Sequence, residues 1–64
     1  MPPAAPSPIM TVPDVAAYLN VSRSTVYRMV RDGQLPFFRV SIGGDLRFNR
    51  EAIDKWIAER ERAK

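Results

Sequence analysis

A mainly α fold with one small β-hairpin, ordered helix, turn, helix, hairpin, helix, is what this 64-residue sequence predicts. Three observations predict it. Apolar residues recur at helical spacing in three separate stretches. Only Asn20-Val21-Ser22 separates the first two of them. Between the second and third, the period falls to two around a Gly43-Gly44 pair, the mark of a short hairpin.

Each element follows from local chemistry. Residues 1–10 open with MPPAAPSP, four prolines among small residues, and read as a disordered Pro-rich arm with packing beginning at Ile9 and Met10. Thr11 is an N-cap, and Asp14 three residues on completes a capping-box pattern with Pro13 tolerated in the first turn. Val12, Val15, Ala16 and Leu19 then share one face at i, i+3, i+4, i+7. Asn20 accepts the left-handed backbone that ends a helix, and Ser22 caps the next one. Val26, Met29 and Val30 make the second stripe, and Gly33 suits the residue just past its end. Phe37-Phe38-Arg39-Val40 and Leu46-Arg47-Phe48 pair as strands across the glycine turn, with Phe38, Val40 and Phe48 toward the core. Of Phe37 and Phe38, one is expected inside and one partly covered. Asn49 caps the third helix, Glu51 and Asp54 suit its positive end, and Ile53, Trp56 and Ile57 form its apolar face. The folded domain is expected over residues 11–58, followed by a polar tail over 59–64.

Composition narrows the chemistry. One domain is all this length allows, and such a domain buries only about 60% of its unfolded surface. There is no cysteine and no histidine. Disulfides, thiolate nucleophiles, imidazole bases and the usual zinc ligand sets are therefore excluded. No catalysis, cofactor or metal is expected. The longest apolar run, residues 15–19, falls far short of the roughly 18 residues a membrane helix needs. The first ten residues hold no Lys or Arg and no apolar stretch, so no signal peptide is expected.

The charge is placed rather than spread. Ten Lys and Arg oppose seven Asp and Glu, a net of +3. Arg23, Arg28, Arg31, Arg39, Arg47 and Arg50 face only Asp32 and Asp45 within residues 20–50, so the middle of the chain holds the whole excess. All of it is arginine, whose planar fork of donors matches phosphates and guanine edges.

Two helices joined by so tight a turn need a small residue where they cross, here Ala16, and a permissive turn residue, here Asn20. They also need apolar anchors, here Val15, Leu19, Val21, Val26 and Met29. These are the requirements of a helix-turn-helix whose second helix enters the major groove of DNA. With Val26, Met29 and Val30 inward, Ser24, Arg28 and Arg31 point outward, Tyr27 flanks them and Arg23 lies in the first turn. Arg23 and Arg28 are the candidate base readers, and Ser24 is a candidate on the same groove-facing helix. Ser22 caps the helix, while Thr25, Tyr27 and Arg31 are candidates for backbone positioning. In the hairpin, Arg39 and Arg47 are expected opposite one another, an arrangement that favours an anion between them.

These residues carry a resemblance. Thr11-Val12-Pro13-Asp14-Val15-Ala16-Ala17-Tyr18-Leu19, Val21-Ser22-Arg23-Ser24-Thr25-Val26-Tyr27-Arg28, Asp32-Gly33-Gln34-Leu35-Pro36, Arg47-Phe48 and Trp56-Ile57 resemble the excisionase-type branch of the MerR-like winged helix-turn-helix proteins. The likeness covers residues 11–57, about three quarters of the chain. It implies a winged helix-turn-helix with the second helix in the major groove and Arg39 and Arg47 on a wing against the backbone or minor groove. It also implies tandem sites near a phage attachment site, DNA bending, an integrase as partner and cooperative self-association on DNA. The wing tip, Ser41-Ile42-Gly43-Gly44-Asp45, departs from the family by carrying an acid and no base.

The function expected is sequence-specific binding of double-stranded DNA in a prokaryotic cytoplasm, on the nucleoid, without a membrane. A directionality factor for recombination is preferred. A small MerR-like transcription regulator is the alternative, favoured less because no effector domain or long dimerisation helix lies within the 64 residues. A protein-interaction adaptor, with the arginine face against an acidic partner, stands third.

Overall fold

The computed structural model describes residues 8–62. In chain order it contains β1 (Ile9–Met10), α1 (Val12–Leu19), α2 (Arg23–Arg31), β2 (Phe38–Arg39), β3 (Leu46–Asn49) and α3 (Arg50–Arg62). Helix, turn, helix, hairpin and helix follow one another as predicted, giving a small winged helix-turn-helix.

The helix boundaries are set by the residues that cap them. The Asp14 N–H donates to Thr11 Oγ1 at 3.3 Å and the Thr11 N–H donates to Asp14 Oδ2 at 3.0 Å, a closed capping box. α1 and α2 then end in the same way. Asn20 (φ 61°, ψ 47°) and Gly33 (φ 71°) both take the left-handed backbone. The Asn20 N–H donates to the Ala17 carbonyl and the Val21 N–H to that of Ala16. The Gly33 N–H donates to the Val30 carbonyl and the Gln34 N–H to that of Met29, the same Schellman pair one helix later. This tight closure lets Ser22 begin α2 within three residues. Asn49 Oδ1 accepts from the N–H groups of Glu51 and Ala52 and starts α3.

The core is small and wholly apolar. Met10, Val12, Val15, Ala16, Val26, Val30, Leu35, Phe48 and Ile53 are buried, and no polar side chain is buried among the described residues. Phe48, Ile53, Val15 and Val26 have no exposure worth measuring. Each side chain of this kind contributes about 1.5–3 kcal/mol by leaving water. Leu19, Met29, Leu46, Trp56 and Ile57 pack half-buried around them. Trp56 also donates its indole N–H to the Gln34 carbonyl, and the Tyr18 hydroxyl donates to Asp54, so α3 is pinned to α1 and to the loop that follows α2.

Several expectations are corrected. Residues 9 and 10 are not part of an arm: Ile9 pairs with Asn49 and Met10 with Phe48, so β3 is the centre of a three-stranded antiparallel sheet. Burial of Met10 against the core fixes this strand, whose two residues are too few to show a period. Residues 1–7 of the expected arm lie outside the described residues. Residues 59–62 are not a separate tail, because α3 continues through them to Arg62. In the hairpin, Phe38 is opposite Arg47 and Arg39 opposite Leu46, so the two arginines do not face each other. That register keeps Leu46 and Phe48 inward. Phe38 and Val40 are consequently exposed, at 42% and 61%, and Phe37 is exposed beside them. Leu35 takes the inward place instead. Val21, expected as an anchor, lies at the surface, and Trp56 is half-buried rather than core.

Candidate nucleic-acid interface

α2 carries the outward residues that the helical period predicts. Ser22, Arg23, Ser24, Tyr27, Arg28 and Arg31 are exposed, while Thr25 is half-buried. Val26 and Val30 hold the opposite face in the core, which fixes the rotation of the helix and hence the direction of this row.

The N-terminal turn of α2 is a knot of hydroxyls. Ser22 Oγ accepts from the Thr25 N–H at 3.1 Å and lies 2.8 Å from Thr25 Oγ1 and 3.1 Å from Ser24 Oγ. Ser24 is therefore tied to the cap rather than standing free. The arginines further along are less engaged. The side chains of Arg23 and Arg28 have no hydrogen-bond, ion-pair or ring partner among the described residues, and that of Arg31 only reaches its neighbour Asp32 at 3.7 Å, both exposed. An exposed pair of that kind contributes little, so the guanidinium remains free to leave it.

The wing arginines are held quite differently. Arg39 Nη1–H donates to the Gly44 carbonyl at 3.1 Å, across the hairpin turn. Arg47 Nη1–H donates to the Leu46 carbonyl at 2.8 Å, and its other terminal nitrogen lies 4.0 Å from Asp45. Each guanidinium keeps further donors, because arginine offers five. Gly43 (φ 70°) shapes the turn and the Gly44 N–H closes it onto the Ser41 carbonyl at 2.7 Å. A side chain at Gly44 would collide with Ser41.

Between α2 and the wing lies an open cleft of about 400 Å³. Tyr27 forms one wall, Arg39 and Arg47 the other, and Thr11, Val12 and Pro13 at the start of α1 its third side. The structure thus gathers Tyr27, Arg39 and Arg47 around one depression. The share taken by the start of α1 was not legible in sequence, since those residues carry no charge toward the cleft. Arg47 also pulls weakly on Asp14, whose carboxyl is held below its ordinary value chiefly by the Thr11 N–H and then by the Thr11 hydroxyl. Of the central arginines, Arg50 does not join the cleft: its guanidinium lies over the Tyr18 ring at 5.8 Å, in the seam between α1 and α3.

The comparisons with known proteins agree with this architecture. The chain belongs to the helix-turn-helix domain family HTH_17, whose profile matches residues 9–61. It is 43% identical over 49 residues to two proteins of Mycobacterium tuberculosis, from strains CDC 1551 and H37Rv, each bearing the name "Putative DNA-binding protein". That stretch is 77% of this chain and 60% of either relative, so the chain spans well under two thirds of their length. No solved structure matches it. Among the described residues, no helix is long and apolar enough to cross a membrane.

Proposed function

We propose that this chain binds duplex DNA in a sequence-specific manner and serves as an excisionase-like directionality factor. The observation that carries the DNA reading is the outward face of α2, where the Arg23 and Arg28 side chains have no partner among the described residues, on a helix whose orientation the core fixes. A surface helix stabilised for its own sake would pair its arginines with acids at i, i+4; Arg23 has Tyr27 at that spacing, and Asp32, four residues after Arg28, is the C-cap residue and lies against Arg31 instead. The names of the mycobacterial relatives point the same way.

In this reading α2 lies in the major groove. Arg23 and Arg28 donate to guanine edges, the commonest specific contact, and Ser22, Ser24 and Thr25 present hydroxyls near the backbone. Tyr27, Arg31, Arg39 and Arg47 take phosphates, with the cleft accommodating the strand between helix and wing. Four neutralised phosphates give a slope of about −3.6 in log K against log salt. So small a footprint binds weakly as one copy, which favours several copies side by side or an integrase alongside.

Selection of bound duplexes from a random pool at physiological salt, followed by footprinting, tests this directly. Tandem motifs filled cooperatively support the directionality factor, and stimulation of excision by a cognate integrase completes the case. A single inverted repeat favours a dimeric MerR-like regulator. No enrichment overturns the DNA reading and moves the arginine face to an acidic protein partner.

A further inference from the structure

The wing tip ends in an apolar side chain with nothing around it. Ile42 is 105% exposed relative to its reference, the most exposed large apolar residue described. It sits within a turn closed by the Gly44 N–H on Ser41, and the two glycines after it carry no side chains. The tip is therefore slim, with Ile42 as its large apolar protrusion and the exposed Asp45 carboxylate beside Arg47. Just behind it the Arg39 guanidinium is anchored on the Gly44 carbonyl and Arg47 lies beside Asp45. An isoleucine left wholly in water at the end of a hairpin that carries two arginines has no packing partner in the free protein. It gains one where a cationic hairpin meets an anionic surface that contains apolar gaps.

We infer that Ile42 is a wedge that enters the minor groove and partly unstacks one base step, bending the duplex, while Arg39 and Arg47 grip the phosphates on either side. This rests on the proposed DNA reading and adds a residue and a deformation to it. The dimensions fit. The minor groove, about 6 Å wide, admits a side chain but no helix. From Phe38 to Val40 the paired hairpin rises about 7 Å at 3.3 Å per residue, and the turn beyond it carries Ile42 at its end. Isoleucine is among the residues that insert between base steps in minor-groove binders, and pyrimidine–purine steps open most easily. The wedge accordingly predicts a preference at a base step that no hydrogen bond reads.

The test uses the full chain on a single-site duplex recovered by selection, labelled at both ends for energy transfer. Ile42→Ser removes the wedge and Ile42→Met keeps an apolar one; neither touches the core, which circular dichroism verifies. Wild type and Ile42→Met should draw the ends together at saturation. Ile42→Ser should lose more than half of that change, weaken binding about 3- to 10-fold and lose the preference for a pyrimidine–purine step under the tip. Wild-type binding with a bend that survives Ile42→Ser overturns the wedge and leaves the DNA reading standing. Loss of cooperativity on tandem sites, with the single-site bend unchanged, also overturns it and assigns Ile42 to contact with a neighbouring copy. Failure of wild type to bind any duplex removes both readings together.

Discussion

α2 and the wing flank one cleft and both carry arginines, yet they hold them in opposite ways. On α2, Arg23 and Arg28 extend from a helix braced by Val26 and Val30, and their guanidinium groups bond to nothing among the described residues. On the wing, Arg39 and Arg47 are tied to carbonyls of their own hairpin, at 3.1 and 2.8 Å. The first arrangement fixes the backbone and leaves the side chains to search. The second fixes the side chains on a support of two- and four-residue strands. Free guanidinium groups suit edges that differ from one base pair to the next, whereas tethered ones suit phosphates, which look alike everywhere. On the proposed reading the two regions therefore divide base reading from phosphate positioning.

The largest effect is expected where both regions depend on one residue. Phe48 belongs to β3 but lies fully buried against the helices. Phe48→Ala should cost about 3–5 kcal/mol. A domain of this size holds roughly 3–10 kcal/mol in all, so urea or thermal unfolding should show the variant largely or wholly unfolded, with wing and α2 lost together. A stable Phe48→Ala protein that kept α2 and lost only the wing would show that the two regions fold independently.

Next comes the division of labour itself. Arg28→Ala should weaken binding to the selected site by about 1–3 kcal/mol and relax the preference at one base position. Arg47→Ala should weaken binding to all sequences evenly and reduce the salt slope by about 1. Titrations of specific and scrambled duplexes at several salt concentrations separate the two outcomes. Equal behaviour of the two variants would erase the contrast between the regions.

The same contrast explains how much the sequence could reveal. α1 and α2 were legible to within a residue because their signals are local: Thr11 with Asp14, Asn20, Ser22 and Gly33 each act on backbone within a few residues. The outward row on α2 was legible for the same reason, since period and rotation go together. The wing was legible as a hairpin but not in register. Its alignment depends on where the turn closes, and the Ser41–Gly44 closure puts Arg39 opposite Leu46 rather than Arg47. A slip of one residue reverses which side chains face inward, which is why Phe38 and Val40 were misplaced. β1 and Leu35 were missed because two residues, or one between a glycine turn and a proline, carry no period. The hydroxyl knot at Ser22 and the cleft wall at Thr11 depend on proximity in space that no spacing encodes.

A smaller effect sharpens the comparison at the helix starts. Ser22→Ala removes the acceptor for the Thr25 N–H and the partner of two hydroxyls, and should cost about 1 kcal/mol of stability. Asn49→Ala removes the matching cap where the wing passes into α3 and should cost about as much. The two should part company on DNA. Only Ser22→Ala releases Ser24 and Thr25 at the mouth of α2, so only it should alter binding beyond the shared loss of stability. Hydrogen exchange at Thr25 and Ala52, read beside the DNA titrations, checks both halves.

The smallest effect links the regions through charge. Asp14 has its pKa lowered, first by the Thr11 N–H, then by the Thr11 hydroxyl and last by Arg47 across the cleft. A carboxyl with a lowered folded pKa stabilises the fold fully above its unfolded value, near 4, and loses that contribution as pH falls through the folded value. Urea midpoints of wild type and Asp14→Asn should therefore differ at pH 7 and converge in acid, once the carboxyl is protonated in the folded state as well. Because Asp14 is exposed, the difference should be slight and the carboxyl titration followed by NMR is the sharper readout. In Arg47→Ala that titration should move a little toward higher pH, with less movement at high salt, where the surviving hydrogen bonds from Thr11 set the value. A titration that ignores Arg47 would mean that the wing guanidinium is spent on the Leu46 carbonyl and Asp45 and casts no field on α1. The tethering that suits it to phosphates would then also have isolated it from the helix pair.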